Sequence, residues 1–295
     1  MTETGRKICK RLHAYLRMDR YAGQVHDVYN DAIHLKTAIG MVTILTNAHC
    51  LHPFAVMVNS TKPFPRYEIE EGQEVLMGDE RIEIPACGFS VDLSQATDIE
   101  LSVESMRSVF LPVDLDIRMR HILRVLEANE TDDGLSPLVT ESKSNAYCDT
   151  IRPLLGRLHD AFRDQEPDEC REAAAAIAGV GNGSTSSSDD LLCGYAAGYA
   201  ALSAALGRNH QRVLSLTREL AAGACAHTDE LNGAFLLQAG EGLVSEDIYQ
   251  LLRCVFSDAA YSATVAYATK MASSGSVGVN LLTGIYLAIL RQYGG

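Results

Sequence analysis

The chain has no tryptophan, no closely spaced cysteine pair, no excess of positive charge and no long apolar run. Its 295 residues carry a formal net charge of -13, which argues against general binding of nucleic acids or anionic membranes. The absence of tryptophan excludes a Trp-based platform for stacking bases. The eight cysteines are scattered singly, without a Cys-x-x-Cys or zinc-type Cys/His spacing. Because the negative net charge repels anions, any anionic ligand must be held by local donors.

Targeting signals are also lacking. The basic residues between positions 6 and 11 are not followed by a long apolar region, so we expect no signal peptide. Scattered thiols are then most simply reduced, and we expect a cytoplasmic protein. The segment His49-Cys50-Leu51-His52 brings imidazoles and a thiol together, but it lacks further ligands at a known metal spacing, and we predict no metal site there.

The N-terminal half shows strand-like patterns. The segment from about Thr2 to Arg20 reads as a short amphipathic helix. From about Val25 to Leu111, short apolar and β-branched runs alternate with turn residues, which predicts an antiparallel sheet or small barrel. The predicted strands are Ala32–Thr37, Met41–Thr46, Phe54–Val58, Glu74–Met77, Arg81–Ile84 and Ile99–Val103.

From about Tyr147 onward almost every segment has a helical pattern, with glycine or Ser/Thr/Asp at most joints. Before it, a connecting helix over Ile117–Leu126 is followed by a polar, acidic stretch, Ala128–Pro137, which reads as an exposed linker. We therefore predict an α+β protein: a β-rich domain over residues 1–127 and a helical domain over residues 145–295. The predicted helices of that domain are Ile151–Arg163, Asp168–Ala178, Asp189–Leu206, Gln211–Ala222, Glu230–Gly240, Ser245–Phe256, Tyr261–Met271 and Val277–Arg291.

A glycine-rich loop precedes the first long apolar helix of this domain. It runs from Gly179-Val-Gly-Asn-Gly through a row of hydroxyl residues to Asp189 and Asp190. Backbone amides and hydroxyls at a helix N-terminus suit an anion, and paired carboxylates suit a cation or a proton donor on the same ligand. Helix capping is the alternative reading, with Ser187 or Ser188 as N-cap and two acids in the first turn.

A similar arrangement recurs near the C-terminus. The loop Ser273-Ser-Gly-Ser276 again precedes an apolar helix, and Asp190-Leu-Leu-Cys-Gly194 matches Asn280-Leu-Leu-Thr-Gly284. Small residues at helical spacing follow both motifs, so we expect these helices to pack closely with their N-termini at one pocket. A third loop places Thr228 where an N-cap would stand. His227 beside it is a candidate acid or base, but a single histidine without a visible partner is more often structural or merely exposed.

These three loops, in this order, resemble the AllH family, whose namesake is the third subunit of oxamate carbamoyltransferase. The family pattern is Gly-x-Gly-x-Gly-Leu-Thr-Pro-x-Gly-Asp-Asp-x-Leu-x-Gly, then Thr-Thr-Glu-x-Ser, then Ser-Gly-x-Asp-x-Leu-x-Gly. The resemblance covers most of residues 170–291. Several family residues differ here. Ser-Thr-Ser-Ser-Ser replaces Leu-Thr-Pro-x-Gly, and Asp229, Asn232 and Asn280 replace the second Thr, the Ser and the late Asp.

The resemblance implies carbamoyl transfer between carbamoyl phosphate and oxamate in allantoin breakdown, together with other subunit types. It implies Asp189 and Asp190 as catalytic residues, no certain cofactor, and Mg²⁺ as an optional one. The implied substrate-binding residues are Gly181, Gly183, Ser184, Thr185, Thr228, Ser274, Gly275, Ser276 and Asn280. The departures keep two alternatives open: a non-catalytic scaffold or regulatory paralogue, and a Mg-dependent phosphate-ester or nucleotide enzyme.

Overall fold

β-Strands make up most of the first hundred residues. The computed structural model describes residues 1–60, 62–108, 113–140, 142–181 and 186–293, and the chain divides into two compact units, Met1–Leu101 and Ser102–Gly295. Within its described residues the first unit has one α-helix, α1 (Lys10–Met18). Its strands are β1 (Thr2–Cys9), β2 (Tyr21–Val28), β3 (Ala32–Thr37), β4 (Gly40–Leu45), β5 (Ala55–Val58), β6 (Glu74–Gly78), β7 (Arg81–Ile84), β8 (Phe89–Asp92) and β9 (Thr97–Ile99).

These strands close into a barrel-like sheet. Neighbours follow the order β5-β4-β3-β2-β6-β7-β8-β1, and β1 pairs again with β5. β9 extends the sheet along β1, beyond the residues that pair with β8. Alternate residues point into the core: on β7, Ile82 and Ile84 are buried while Arg81 is exposed. The predicted β-rich N-terminal half is therefore confirmed.

The first predicted element is wrong in its first half. Thr2–Cys9 forms strand β1, and helix begins only at Lys10. Ile8 is fully buried and pairs with Val56 of β5, so pairing across the barrel overrides the local helical pattern. The strand predicted over Ile99–Val103 is also misplaced, because β9 ends at Ile99 and a 3-10 helix starts at Val103.

The second unit is helical, and every helix predicted after Tyr147 is present. The pattern works well here because apolar residues recur at helical spacing over long segments. The α-helices described in the second unit are α2 (Leu115–Ala128), α3 (Ala146–Asp164), α4 (Pro167–Ile177), α5 (Ser187–Ala205), α6 (His210–Cys225), α7 (Glu230–Gly240), α8 (Glu246–Val255), α9 (Tyr261–Ala272) and α10 (Ser276–Tyr293). The α+β class with a helical C-terminal half is thus confirmed.

The polar stretch predicted as an exposed linker is only partly exposed. Residues 131–133 are exposed, but Gly134 to Pro137 are buried, and Ser136–Leu138 forms a 3-10 helix. The Asn145 side chain donates to the carbonyl of Gly134 at 2.8 Å, which fixes this segment. The division between units lies earlier in the chain, so α2 belongs with the helical unit. The domain limits 1–127 and 145–295 stay a prediction.

Arg118 illustrates why α2 belongs with the helices. Its guanidinium is buried, donates to the carbonyl of Cys254 at 2.8 Å and lies 5.0 Å from the ring centroid of Tyr261. A buried cation needs such partners because its desolvation is costly. Across the described ranges, none of the helices combines the length and the apolar character that crossing a lipid bilayer requires.

Candidate functional site

The glycine loop before α5 has a backbone that only glycine adopts without strain. Gly179 and Gly181 have φ angles of +76° and +125°. A side chain at Gly179 would begin 2.8 Å from the carbonyl oxygen of His227, and one at Gly181 would begin 2.7 Å from the backbone nitrogen of Ser187. The loop therefore lies directly against both the start of α5 and the α6–α7 loop.

Val180 joins this loop to the first turn of α5. Its N–H donates to the Ser188 hydroxyl at 2.9 Å, and its carbonyl accepts the Ser188 N–H at 3.0 Å and the Ser186 hydroxyl at 2.9 Å. The N-cap is Ser186, whose carbonyl accepts the N–H groups of Asp189 and Asp190. The prediction of Ser187 or Ser188 as N-cap is therefore wrong, and the serine at 188 binds the loop instead.

Asp189 connects three segments of the chain. Its Oδ1 accepts the Gly179 N–H at 3.0 Å, and its Oδ2 accepts the Thr228 hydroxyl. The side chain is 2% exposed. Burial raises the pKa of the Asp189 carboxyl, while the hydrogen bonds from Thr228 and Gly179 oppose that shift. Both oxygens of this acid are thus engaged within the protein.

Thr228 does not cap α7, and its hydroxyl is therefore available to donate to Asp189. The N-cap is Asp229, whose Oδ1 accepts the N–H groups of Leu231 and Asn232 at 3.0 Å each. The reading of Thr228 as the cap is therefore wrong. The Asn232 amide also donates to Asp229 Oδ2, so two residues that depart from the family pattern complement each other. His227, next to Thr228, is exposed.

Helices α5 and α10 pack in direct contact, as predicted. A methyl group on Gly194 would overlap the carbonyl oxygen of Leu281, and one on Gly284 would overlap that of Leu191. Gly198, one turn after Gly194, lies against Ile285, one turn after Leu281. Because the contact advances along both helices together, the two helices run parallel and begin at the same end of the pair.

Asp190 and Asn280 start the two matching motifs. Each stands one turn before the glycine at which the helices cross, and they are 9% and 1% exposed. The Asn280 Oδ1 accepts the N–H of Leu135 at 2.9 Å. Sequence reasoning did not single out Leu135, because 145 positions separate it from Asn280 and a backbone donor has no residue-type signal.

The remaining predicted site residues are less connected. Ser274, Gly275 and Ser276 are exposed in the α9–α10 turn, where the N–H groups of Ser274 and Gly275 bond to α9 carbonyls. Gly183, Ser184 and Thr185 lie outside the described residues. The structure thus brings Gly179, Val180, Asp189 and Thr228 together, and the meeting of both glycine loops at one pocket stays a prediction.

Metal ligands are not grouped in the part of the chain that the structure describes. No set of three or more His, Cys, Asp or Glu side chains there is arranged to hold a metal ion. In the segment His49–His52, His49 pairs with Asp31 at 2.7 Å and His52 Nδ1 contacts the Pro53 carbonyl at 2.8 Å. Asp189 is similarly occupied by Gly179 and Thr228.

Comparison with known proteins identifies the family. The family described as oxamate carbamoyltransferase subunit AllH matches residues 177–289, which include α5, most of α10 and all three loops. The N-terminal domain of the AllH family matches residues 4–98, which include most of the barrel-like sheet. No curated protein and no solved structure matches the chain. The two family matches cover the site and the sheet, and the chain belongs to the AllH family.

Proposed function

We propose that this chain is the AllH-type subunit of a cytoplasmic carbamoyltransferase that works with other subunits in the breakdown of purine-derived allantoin. Its substrates would be carbamoyl phosphate and oxamate, and its products phosphate and oxalurate. Family membership supports the subunit role. The observation that carries the site is the Asp189 carboxylate, which receives hydrogen bonds from both Gly179 and Thr228 and so joins two family motif loops at the start of α5.

The proposed reaction is a direct group transfer. The amide nitrogen of oxamate attacks the carbamoyl carbon, a C–N bond forms, and the C–O bond to phosphate breaks. The nitrogen loses one proton and inorganic phosphate leaves. Such a transfer needs donors for the phosphate oxygens and for the oxyanion of the tetrahedral centre. The N-terminal ends of α5 and α10 provide partial positive charge for both anions.

We assign different roles to the two aspartates. Asp189 holds the loop backbone, because both its oxygens already accept hydrogen bonds from Gly179 and Thr228. To Asp190, which begins the motif shared with α10, we assign the role of orienting the attacking nitrogen or accepting its proton. The glycine loop, including Gly181, Gly183, Ser184 and Thr185, would bind the phosphate end. The turn formed by Ser274, Gly275 and Ser276 would complete the anion site.

A non-catalytic scaffold or regulatory subunit is the second candidate. The observation that favours it is the loss of charge at Asn280, together with the use of Asp229 as a helix cap bonded to Asn232. At these family site positions, the side chains present here make hydrogen bonds within the protein: Asn280 accepts the N–H of Leu135, and Asp229 accepts the amide of Asn232. A Mg-dependent phosphate-ester enzyme has less support, because the described acids near the loop do not form a metal-binding group.

Reconstitution with the companion subunits tests the proposal. The complete complex should release phosphate from carbamoyl phosphate only when oxamate is present, and omission of this chain should abolish that release. Asp190→Asn should lower kcat at least about a hundredfold, the range expected for a general acid or base. Complex assembly with unchanged activity in Asp190→Asn would establish the scaffold role instead.

A further inference from the structure

A concave surface lies on the outer face of strands β2, β6 and β7. Leu76 of β6 is paired with Ala22 of β2 on one side and with Glu83 of β7 on the other. Because Val75 and Met77 on either side of it are buried, Leu76 points outward, and it is 41% exposed. A cavity of about 700 Å³ lies over this row of residues. A large apolar side chain is thus exposed on a concave surface.

This surface continues across β2 toward β3. A second cavity, of about 500 Å³, is lined by Gln24, Lys36 and Glu74 and meets the first at Ala22. We call the two cavities together the β2–β6 groove, which spans the neighbouring strands β3, β2, β6 and β7. With about 4.8 Å between strands, the groove is about 14 Å wide. That size suits a segment of a partner protein, which places several side chains on one surface, better than a small molecule.

Carboxylates outnumber guanidinium groups in the first cavity. The charged residues of its lining are Arg20, Arg81, Asp79, Glu80, Glu83 and Asp92, so four negative and two positive charges leave an excess of two negative charges. Both arginines are already paired, Arg20 with Asp79, and Arg81 with Glu83 at 3.2 Å. Asp92 accepts the backbone N–H of Ser94 at 2.9 Å, and this hydrogen bond lowers the pKa of the Asp92 carboxyl. Asp92 therefore stays ionised at the edge of the groove.

The combination of an exposed apolar side chain and excess negative charge defines the partner. Subunit interfaces join apolar contacts with complementary charges. A second copy of this chain would bring a further net charge of -13 to an acidic groove, so repulsion opposes self-association there. The matched family is described as an enzyme subunit, which supplies a different partner. We propose that the β2–β6 groove docks a companion subunit of the transferase through a segment that carries a basic side chain beside an apolar one. The apolar side chain packs on Leu76 and the basic one pairs with Asp92. This inference rests on the proposed function.

Two replacements at one exposed position test the docking surface. Leu76→Lys and Leu76→Glu both remove the apolar contact, and both should leave the Tm of the free chain nearly unchanged because Leu76 is exposed. Only Leu76→Lys also repels a basic segment. In biolayer interferometry with the companion subunits, we expect Leu76→Lys to raise the Kd at least about a hundredfold and Leu76→Glu to raise it about tenfold. Higher salt concentration should weaken the binding of the wild-type chain.

Tyr29→Lys is the matched control. Tyr29 is also a large side chain on the surface, 52% exposed, but it follows the opposite end of β2, about 23 Å along the strand from Ala22. This variant should keep the wild-type Kd. An unchanged Kd in Leu76→Lys, a larger loss in Leu76→Glu than in Leu76→Lys, or binding that salt does not weaken would overturn the inference. In each of these cases a wild-type complex that transfers carbamoyl groups to oxamate would leave the proposed function intact. A wild-type chain that does not bind the companion subunits would instead reject the proposed function, and the inference with it.

Discussion

The Thr228 hydroxyl donates to the Asp189 carboxylate across 39 positions of the chain. This contact joins the α6–α7 loop to the start of α5, and the other oxygen of the same carboxylate holds the backbone of Gly179. A buried acid with two donors is an effective way to fix two loops relative to each other, because hydrogen bonds to charged groups are stronger than neutral ones. Loss of either donor should therefore loosen both loops.

Removal of the Thr228 hydroxyl provides the first prediction. Thr228→Val keeps the shape of the side chain but leaves Asp189 Oδ2 without its donor, which should destabilise the protein by about 1–3 kcal/mol. Thr228→Ser restores the donor and should recover most of that loss. Urea unfolding measures both variants, and hydrogen exchange at Gly179 and Val180 should accelerate in Thr228→Val only. Equal exchange in both variants would show that the contact does not hold the loop.

The two aspartates should respond differently to replacement by asparagine. In Asp189→Asn the charge that both donors share is lost, so we expect destabilisation by about 1–3 kcal/mol. In Asp190→Asn a first-turn charge is lost, and the expected cost is about 0.3–1 kcal/mol. Thermal melts should rank the variants in this order, with Asp190→Asn losing ligand binding while nearly keeping its Tm. The reverse ranking would transfer the positioning role to Asp190.

The local motifs of the site could be predicted from the sequence, but the residues that these motifs contact could not. The glycine loop, the acid pair and the match between Asp190-Leu-Leu-Cys-Gly194 and Asn280-Leu-Leu-Thr-Gly284 are visible in the sequence because residue type and spacing carry them. The sequence predicts Thr228 as the cap of α7, but Asp229 takes that position, because neighbouring cap residues compete and the sequence does not show which one is turned inward.

The errors in the N-terminal half have the same origin. Thr2–Cys9 is a strand because β5 and β8 lie beside it, and the residues that pair with it are between 48 (Ile8 with Val56) and 88 (Thr2 with Ser90) positions away. Likewise, the acidic stretch before Pro137 looks like a linker until Asn280 binds Leu135. Periodicity reports which face of a segment is apolar, but not which distant segment will cover it.

The crossing of α5 and α10 should tolerate no side chain. Gly194→Ala and Gly284→Ala would each place a methyl group on a backbone carbonyl of the other helix, and backbone cannot move aside as a flexible side chain does. We expect the free energy of unfolding of each variant to fall by about 1–3 kcal/mol or more, the cost of overpacking a core.

Gly156→Ala on α3 is the control, since nothing lies within 4 Å of the added methyl group. That variant should gain about 0.5–1 kcal/mol, and a similar gain in Gly194→Ala would contradict the close crossing.

Acid should destabilise the helical unit through His159. Burial lowers the pKa of this histidine to about 4, and the charge of Arg291 acts in the same direction. The imidazole Nδ1 lies 2.9 Å from the hydroxyl of Tyr195, a fully buried residue. The native state therefore keeps His159 neutral, whereas the unfolded chain protonates it near its ordinary pKa of about 6.5. As the pH falls from about 6.5 to 4, the unfolded state gains a proton that the native state does not, so the free energy of unfolding decreases until the pH reaches the native pKa.

Urea unfolding between pH 4 and 7.5 measures how the free energy of unfolding changes with pH. His159→Asn cannot titrate and should reduce the slope in that window without abolishing it, because burial also lowers the pKa of His52 to about 4. A variant with the wild-type slope would assign the acid sensitivity to other groups.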